Sequence, residues 1–325
     1  MNIDTLGKVK EGILSRSILK NMDVVNASST KTAEGFDNIE YAFAGALNKA
    51  WVYAYEISKC NHKVVKPDMV SVAIILPVGV DEKVLKNITK LCDRLAKESG
   101  LKISGGNTIV SEAVKDVIVS FTVFCSGVDE NDKIKKSSAT KNKNDLFILM
   151  SAYTGIEGTA YMYEKYSNKV HDSLGDVLDS SFEKFKAWMN VSDHVDAILK
   201  TDCKNADDES DVYYIDALGT GGIYEGLYDL SKNFNCGFEV DLKKIPIRQE
   251  TVEICNIMDV NPYMMRSAGS VLMVTDNPEK YIKGLEDEGI PVSIIGQLSN
   301  SNDKIVMIDD ENKYVEPFKK DILIN

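Results

Sequence analysis

Three glycine-rich segments carry most of the chemistry this chain could perform. They are Ser104-Gly105-Gly106-Asn107-Thr108, Thr154-Gly155-Ile156-Glu157-Gly158-Thr159-Ala160 and Gly219-Thr220-Gly221-Gly222-Ile223. Paired glycines reach positive φ and let a backbone approach closely, and amide N–H groups opening a helix attract anions. In the first segment Asn107 and Thr108 add side chains able to hold a phosphate or a metal-bound water. Each segment has a plainer reading. The first could be a tight turn, the second a crowded strand-to-helix crossing, and the third close packing at a helix start.

Other constellations are weaker. No segment spells a Walker A or GxGxxG pattern, and no lysine stands where a phosphate-binding loop needs one. His62, His171 and His194 lie far apart with no zinc-ligand cadence, and His194 between Asp193 and Asp196 reads as a solvated helix surface. There is no GxSxG elbow. None of the six cysteines forms a CxxC pair, and Cys255 sits at helical spacing among apolar neighbours, as a core residue would. The aromatics Trp51, Tyr53 and Tyr55 read as core or interface.

The elements that must position these segments follow from periodicity. A short helix is expected over 8–22, a loop over 25–38 and a helix from Tyr41 to Ile57. Val70 to Leu76 reads as a strand ended by Pro77 and Gly79; Asp81 then caps a helix that stops at Gly100. Val117 to Cys125 is a second strand, and the charged stretch 129–144 is the expected domain boundary. Beyond it come a strand over 145–150 and a helix over 177–199. A strand over 271–274, a helix capped by Asn277-Pro278 and a strand over 291–298 complete the pattern. The expectation is two α+β domains, 1–135 and 140–325, each a sheet with helices on one face.

Composition narrows the classes. With 44% apolar residues over 325 positions, the chain can bury two cores. The 38 basic against 50 acidic residues give a net charge of −12, unsuited to nucleic-acid backbones or anionic membranes. No signal-like or spanning segment stands out, so a reduced, cytoplasmic protein is expected.

The last third adds a resemblance. Gly221-Gly222, then Ile245-Pro246-Ile247-Arg248-Gln249-Glu250, then Asn261-Pro262-Tyr263 through Ser267-Ala268-Gly269, resemble the C-terminal domain of the AIR synthase-related (PurM-like) superfamily. Gly155 to Ala160 resembles the run typical of its hydrogenase-maturation, HypE-like members. The resemblance implies an N-terminal α/β sheet domain that dimerises and a C-terminal α+β domain, with ATP or a related nucleotide and Mg²⁺ in a cleft between them. On that template Gly105, Gly106, Thr108, Gly155, Gly158 and Thr159 would contact phosphate, and Glu56 and Asn107 would be the metal side. An active member would use ATP to activate an amide-type oxygen.

Departures from the family pattern concern charge. Residues 24–35 lack the aspartates expected there, Asn107 stands where an acidic residue or His is usual, and Asp216 and Ala217 stand where a His-Asp pair is expected. The last cysteine of this sequence is Cys255, so no counterpart of the carrier thiol of the HypE-like members is expected. Three readings follow. One is a homodimer binding a nucleotide or phosphorylated small molecule. Another is an ATP-dependent enzyme in which Glu56, Asp37 or Asp216 replace missing ligands. The third is an inactive homodimeric scaffold.

Overall fold

The computed structural model describes residues 28–61, 63–126, 128, 142–175, 179–202, 210–309 and 311–316. These fall into two compact units, 28–128 and 142–316. The helix expected over 8–22 and most of the expected linker lie outside the described residues.

The first unit is a four-stranded sheet. β1 (Ser28–Glu34), β2 (Met69–Pro77), β3 (Lys102–Ser111) and β4 (Ile118–Phe124) run in the order β1-β4-β2-β3, with β2 and β3 parallel and the other pairs antiparallel. Alternation decides its faces. Val119, Phe121 and Val123 of β4 point to α1 (Ile39–Asn61) and α2 (Glu82–Glu98), where they meet Phe43, Ala46, Leu47, Ile88 and Cys92. Phe43 meets Phe121 edge to face at 5.4 Å, and burying a Phe of this kind contributes about 2 kcal/mol. The Asp81 carboxylate accepts the Lys83 amide at 2.7 Å and starts α2 as expected. The opposite face carries hydroxyls: Thr30 pairs with Thr122 at 2.9 Å and Thr32 with Ser120 at 3.1 Å.

Two expectations change here. The described part of the 25–38 loop is mostly strand β1, because its small inward residues Ser29 and Ala33 fit under α1 while its threonines face away. The Ser104–Thr108 segment is the middle of strand β3 rather than a turn.

The second unit is a seven-stranded sheet. Its strands are β5 (Phe147–Ser151), β6 (Val212–Ala217), β7 (Gly237–Asp241), β8 (Val271–Thr275), β9 (Val292–Ser299), β10 (Lys304–Ile308) and β11 (Glu311–Tyr314), in the order β11-β10-β7-β9-β5-β8-β6. Its helices are α3 (Ile156–Lys165), α4 (Ser167–Leu174), α5 (Asp179–Ala187), α6 (Ser192–Asp202), α7 (Gly222–Phe234), α8 (Gln249–Met258) and α9 (Pro278–Glu286). Ile223, Leu227 and Leu230 of α7 pack on Ile148, Met150, Leu272 and Val274. Every residue of β8 is buried, so this sheet is covered on both faces, unlike the one-sided layer expected. On the second face α9 packs against β9 and α6, and the Tyr281 hydroxyl donates to the Asp202 carboxylate at 2.7 Å.

The helix expected over 177–199 is broken into α5 and α6 around Trp188–Val191. Asn190 Oδ1 accepts the Ser192 amide at 2.8 Å and restarts the chain as a new helix. No helix among the described residues is long and apolar enough to cross a membrane.

Candidate functional site

One end of the seven-stranded sheet gathers the loops. Ser151, the last residue of β5, lies opposite Val271 of β8 and Val292 of β9, and Ala217, the last of β6, also lies opposite Val271. The segments 152–155, 218–221 and 261–270 therefore meet. Hydrogen bonds tie them together: Gly155 N–H donates to Ser267 Oγ at 2.8 Å and Gly158 N–H to the Arg266 carbonyl at 2.9 Å. Ser267 N–H donates to the Gly219 carbonyl at 3.1 Å, and Ser270 Oγ donates to the Tyr153 carbonyl at 2.6 Å.

The glycines here are set by contact. Gly155 has φ +77° and opens α3; a Cβ on it would lie 2.7 Å from Thr251 Cγ2, and one on Gly158 would lie 2.5 Å from Met265 Cε. Gly222, φ +63°, opens α7 with no room for a Cβ beside the Tyr263 and Met265 carbonyl oxygens. Thr159 is fully buried, its hydroxyl between the Gly155 carbonyl at 2.7 Å and Thr251 Oγ1 at 2.8 Å. The amides of Gly155 and Gly158 and the hydroxyl of Thr159 thus have protein partners already.

What remains at this end is cationic. Only four residues of the chain are arginines, Arg16, Arg94, Arg248 and Arg266; Arg266 belongs to these loops, and Arg248 follows Ile247, which bridges to Thr154. That choice over lysine matters, because a guanidinium offers a planar fork of donors. Arg248 grips Glu250 through Nε at 3.3 Å and Nη2 at 3.2 Å. Its guanidinium lies over the rings of Tyr153, at 5.4 Å, and Trp188, at 5.5 Å. Burial alone would lift the Glu250 carboxyl, but hydrogen bonds from its own amide and from Arg248 outweigh it and hold the group below its usual range. Arg266 lies over Tyr161 at 5.5 Å and 3.9 Å from Glu157, a buried carboxylate that also accepts the Ala268 amide at 3.2 Å.

Beside them stands a pair the sequence did not flag. Ser151 Oγ is 2.9 Å from His194 Nδ1 and accepts the Val271 amide at 3.2 Å. A neutral imidazole accepting the serine proton satisfies both contacts. Burial lowers the His194 pKa to about 4, against a weaker opposing pull from Asp193. The expected solvated helix surface is therefore corrected: His194 faces inward, onto the end of β5. Ala152, next in sequence, takes φ +57°, a left-handed conformation that costs a non-glycine residue about 1 kcal/mol.

The other expected site residues lie in the first unit. Gly105, Gly106, Asn107 and Thr108 occupy β3, exposed on the sheet edge. Gly105 has open space around it, whereas a Cβ on Gly106, at φ +156°, would overlap the Val72 carbonyl of neighbouring β2. Glu56 is held by Lys59 at 3.1 Å, so its carboxylate already faces a cation. Among the described residues no group of three His, Cys, Asp or Glu side chains comes together to hold a metal, and this donor set does not fit Mg²⁺, which demands several close oxygen ligands. Asp216 lies on β6 opposite Leu272, one residue from the loop cluster.

Similarity searches agree with this architecture. Residues 144–309 match the family model described as AIR synthase related protein, C-terminal domain. A hydrogenase expression/formation protein of Methanocaldococcus jannaschii is 24% identical over 246 residues, 74% of this chain and 67% of that protein. The PurL subunit of phosphoribosylformylglycinamidine synthase from a Thermoanaerobacter species is 24% identical over 66% of this chain, a match spanning only 27% of PurL. The crystal structure of E. coli HypE, a hydrogenase maturation protein, superposes with a TM-score of 0.69 at 14% identity, covering 99% of this chain and 92% of that one. A HypE structure in complex with ATP gives 0.63 at 14% identity over 99% and 98%. The folds are alike, with two sheet-containing domains, and the chain belongs to the AIR synthase-related family.

Proposed function

We propose that this protein binds a nucleotide or another phosphorylated small molecule, and that arginine, rather than a carboxylate-bound Mg²⁺, supplies the positive charge. The observation that carries this reading is the placement of Arg248 and Arg266 at one sheet end. Each is set on an aromatic ring and beside a buried carboxylate, in a chain of net charge −12. A cation set against that background, and oriented by a buried partner, suits an oxyanion. Family membership and the likeness to an ATP-bound HypE structure support the ligand class. Gly155, Gly158 and Thr159 then frame the ligand-bearing loops of the second unit. Isothermal titration with ATP, ADP and AMP, each with and without Mg²⁺, tests it. Binding that is not tightened by Mg²⁺ is expected; no heat for any of the three at millimolar ligand sinks the reading.

The protein is also proposed to act as a homodimer through the first unit. Among the described residues β3 is one of the two edge strands of its sheet, and Ile103, Ile109 and Val110 stand exposed along it, a template for pairing with another chain. Light scattering at micromolar protein should return twice the 36.0 kDa chain mass. A monomer mass removes the dimer.

A further inference from the structure

The side chains around Arg248 carry a more specific assignment, which rests on the reading above. Trp188 directly follows α5 at the break before α6. It keeps 38% of its surface exposed although its ring packs on Phe185 at 5.3 Å, and its backbone carbonyl presses on Gly269, where no Cβ would fit. The indole is thus held at the surface by a tight backbone contact with the 261–270 loop. Tyr153 approaches Arg248 from the β5 side, two residues beyond Ser151, and the left-handed Ala152 sets its direction. Glu250, only 4% exposed, fixes the plane of the guanidinium by gripping one edge. Nε and Nη2 are the donors of that grip. A guanidinium carries about five N–H donors, so these two atoms do not exhaust them.

We infer that Arg248, framed by Tyr153 and Trp188 and oriented by Glu250, is a phosphoryl-binding subsite of the second unit. The chemistry is specific in three ways. A buried carboxylate locks the cation's orientation, so little rotamer freedom is lost when an oxyanion arrives. Two aromatic rings cover part of the guanidinium, while 36% of the side chain stays exposed to an arriving oxyanion. The exposed indole adds a flat surface against which a planar base can lie. In this arrangement Glu250 is a positioning residue: it touches the arginine and holds its fork, while Arg248 touches the ligand.

The chain contains two tryptophans, Trp51 and Trp188, so Trp51→Phe leaves Trp188 as the sole indole reporter. Its emission is to be followed while full-length protein is titrated with ATP, AMP, inorganic phosphate, adenosine and malonate, with calorimetry run in parallel. Saturable quenching by ATP, AMP and phosphate is expected, with adenosine and malonate far weaker. Arg248→Lys, which keeps the charge but loses the fork, should weaken AMP binding by about tenfold to a hundredfold. Because Arg248→Met alone strands Glu250 and threatens the fold, the paired variant Arg248→Met/Glu250→Gln serves as the charge-deleted control, its fold checked by circular dichroism. It should lose the quenching altogether.

Calorimetric heat with ATP or AMP but a silent Trp188, and full affinity in Arg248→Lys, overturns the subsite while leaving nucleotide binding intact. Quenching by malonate as strong as by phosphate overturns the phosphoryl assignment in favour of a general carboxylate site. No heat and no quenching with any ligand overturns both proposals.

Discussion

The glycines of β3 and those at the loop end of the second unit share a residue type and a family resemblance, yet they answer to different constraints. Gly105 and Gly106 both hold a positive φ; Gly105 looks onto open space, while Gly106 also lies against the Val72 carbonyl of neighbouring β2. Gly155, Gly158 and Gly222 are wedged against Thr251, Met265 and the Tyr263 carbonyl, and all three of their amides already have acceptors. A glycine pattern that looks like an anion cradle can therefore be the signature of loops packed on loops. Where the backbone is fully engaged, recognition of an anion falls to side chains, and at this end those are arginines.

The sharpest way to break the comparison is Gly222→Ala. It places a Cβ among carbonyl oxygens at a left-handed position, and a loss on the order of 4 kcal/mol in urea unfolding is expected. A loss below about 1 kcal/mol would mean that the loop end is softer than its packing implies.

Next in size is a pH effect at the same end. The His194 pKa is about 4 in the folded protein against about 6.5 unfolded, so between those values the unfolded chain binds more protons. Stability should be fully present above about pH 6.5, fall by about 3 kcal/mol as pH drops to about 4, and lose nothing more from this group below that. His194→Gln should flatten that part of the curve relative to wild type in urea midpoints measured across the window. An unchanged slope would show that the imidazole is not buried neutral against Ser151.

A pair of substitutions in β3 sharpens the contrast from the other side. Gly106→Ala adds a clash with Val72 to the strain of its positive φ and should cost about 3 kcal/mol, whereas Gly105→Ala, equally strained at φ +154° but meeting no neighbour, should cost about 1.5 kcal/mol. Equal costs would mean that backbone conformation, rather than the Val72 contact, rules both positions. The smallest effect is expected for Ala152→Gly, which relieves the left-handed strain and should leave the melting temperature unchanged or raised by a few degrees.

Much of the framework was legible from the residues. β2 and β4 follow alternation, β8 follows its unbroken apolar run, and α2 and α9 follow helical spacing and the Asp81 and Pro278 starts, because in each the burial pattern is simple and local. β1 was hidden, since Ser28–Glu34 is polar in composition and becomes a strand only by pairing with distant β4. The break between α5 and α6 was hidden because it depends on one Asn190 cap inside a helix-like pattern. The loop end was legible only as glycine. Its arginines, Ser151 and His194 come together through strand register, which sequence spacing does not encode, although the scarcity of arginine in the chain was a usable signal.

The central claim, phosphoryl binding by side-chain cations, is tested most directly by phosphorus NMR of ATP mixed with the protein in the presence of EDTA. Concentration-dependent broadening and shifting of the ATP resonances without added metal, lost in Arg248→Met/Glu250→Gln, is the predicted result. Sharp, unshifted resonances with stoichiometric folded protein would contradict it.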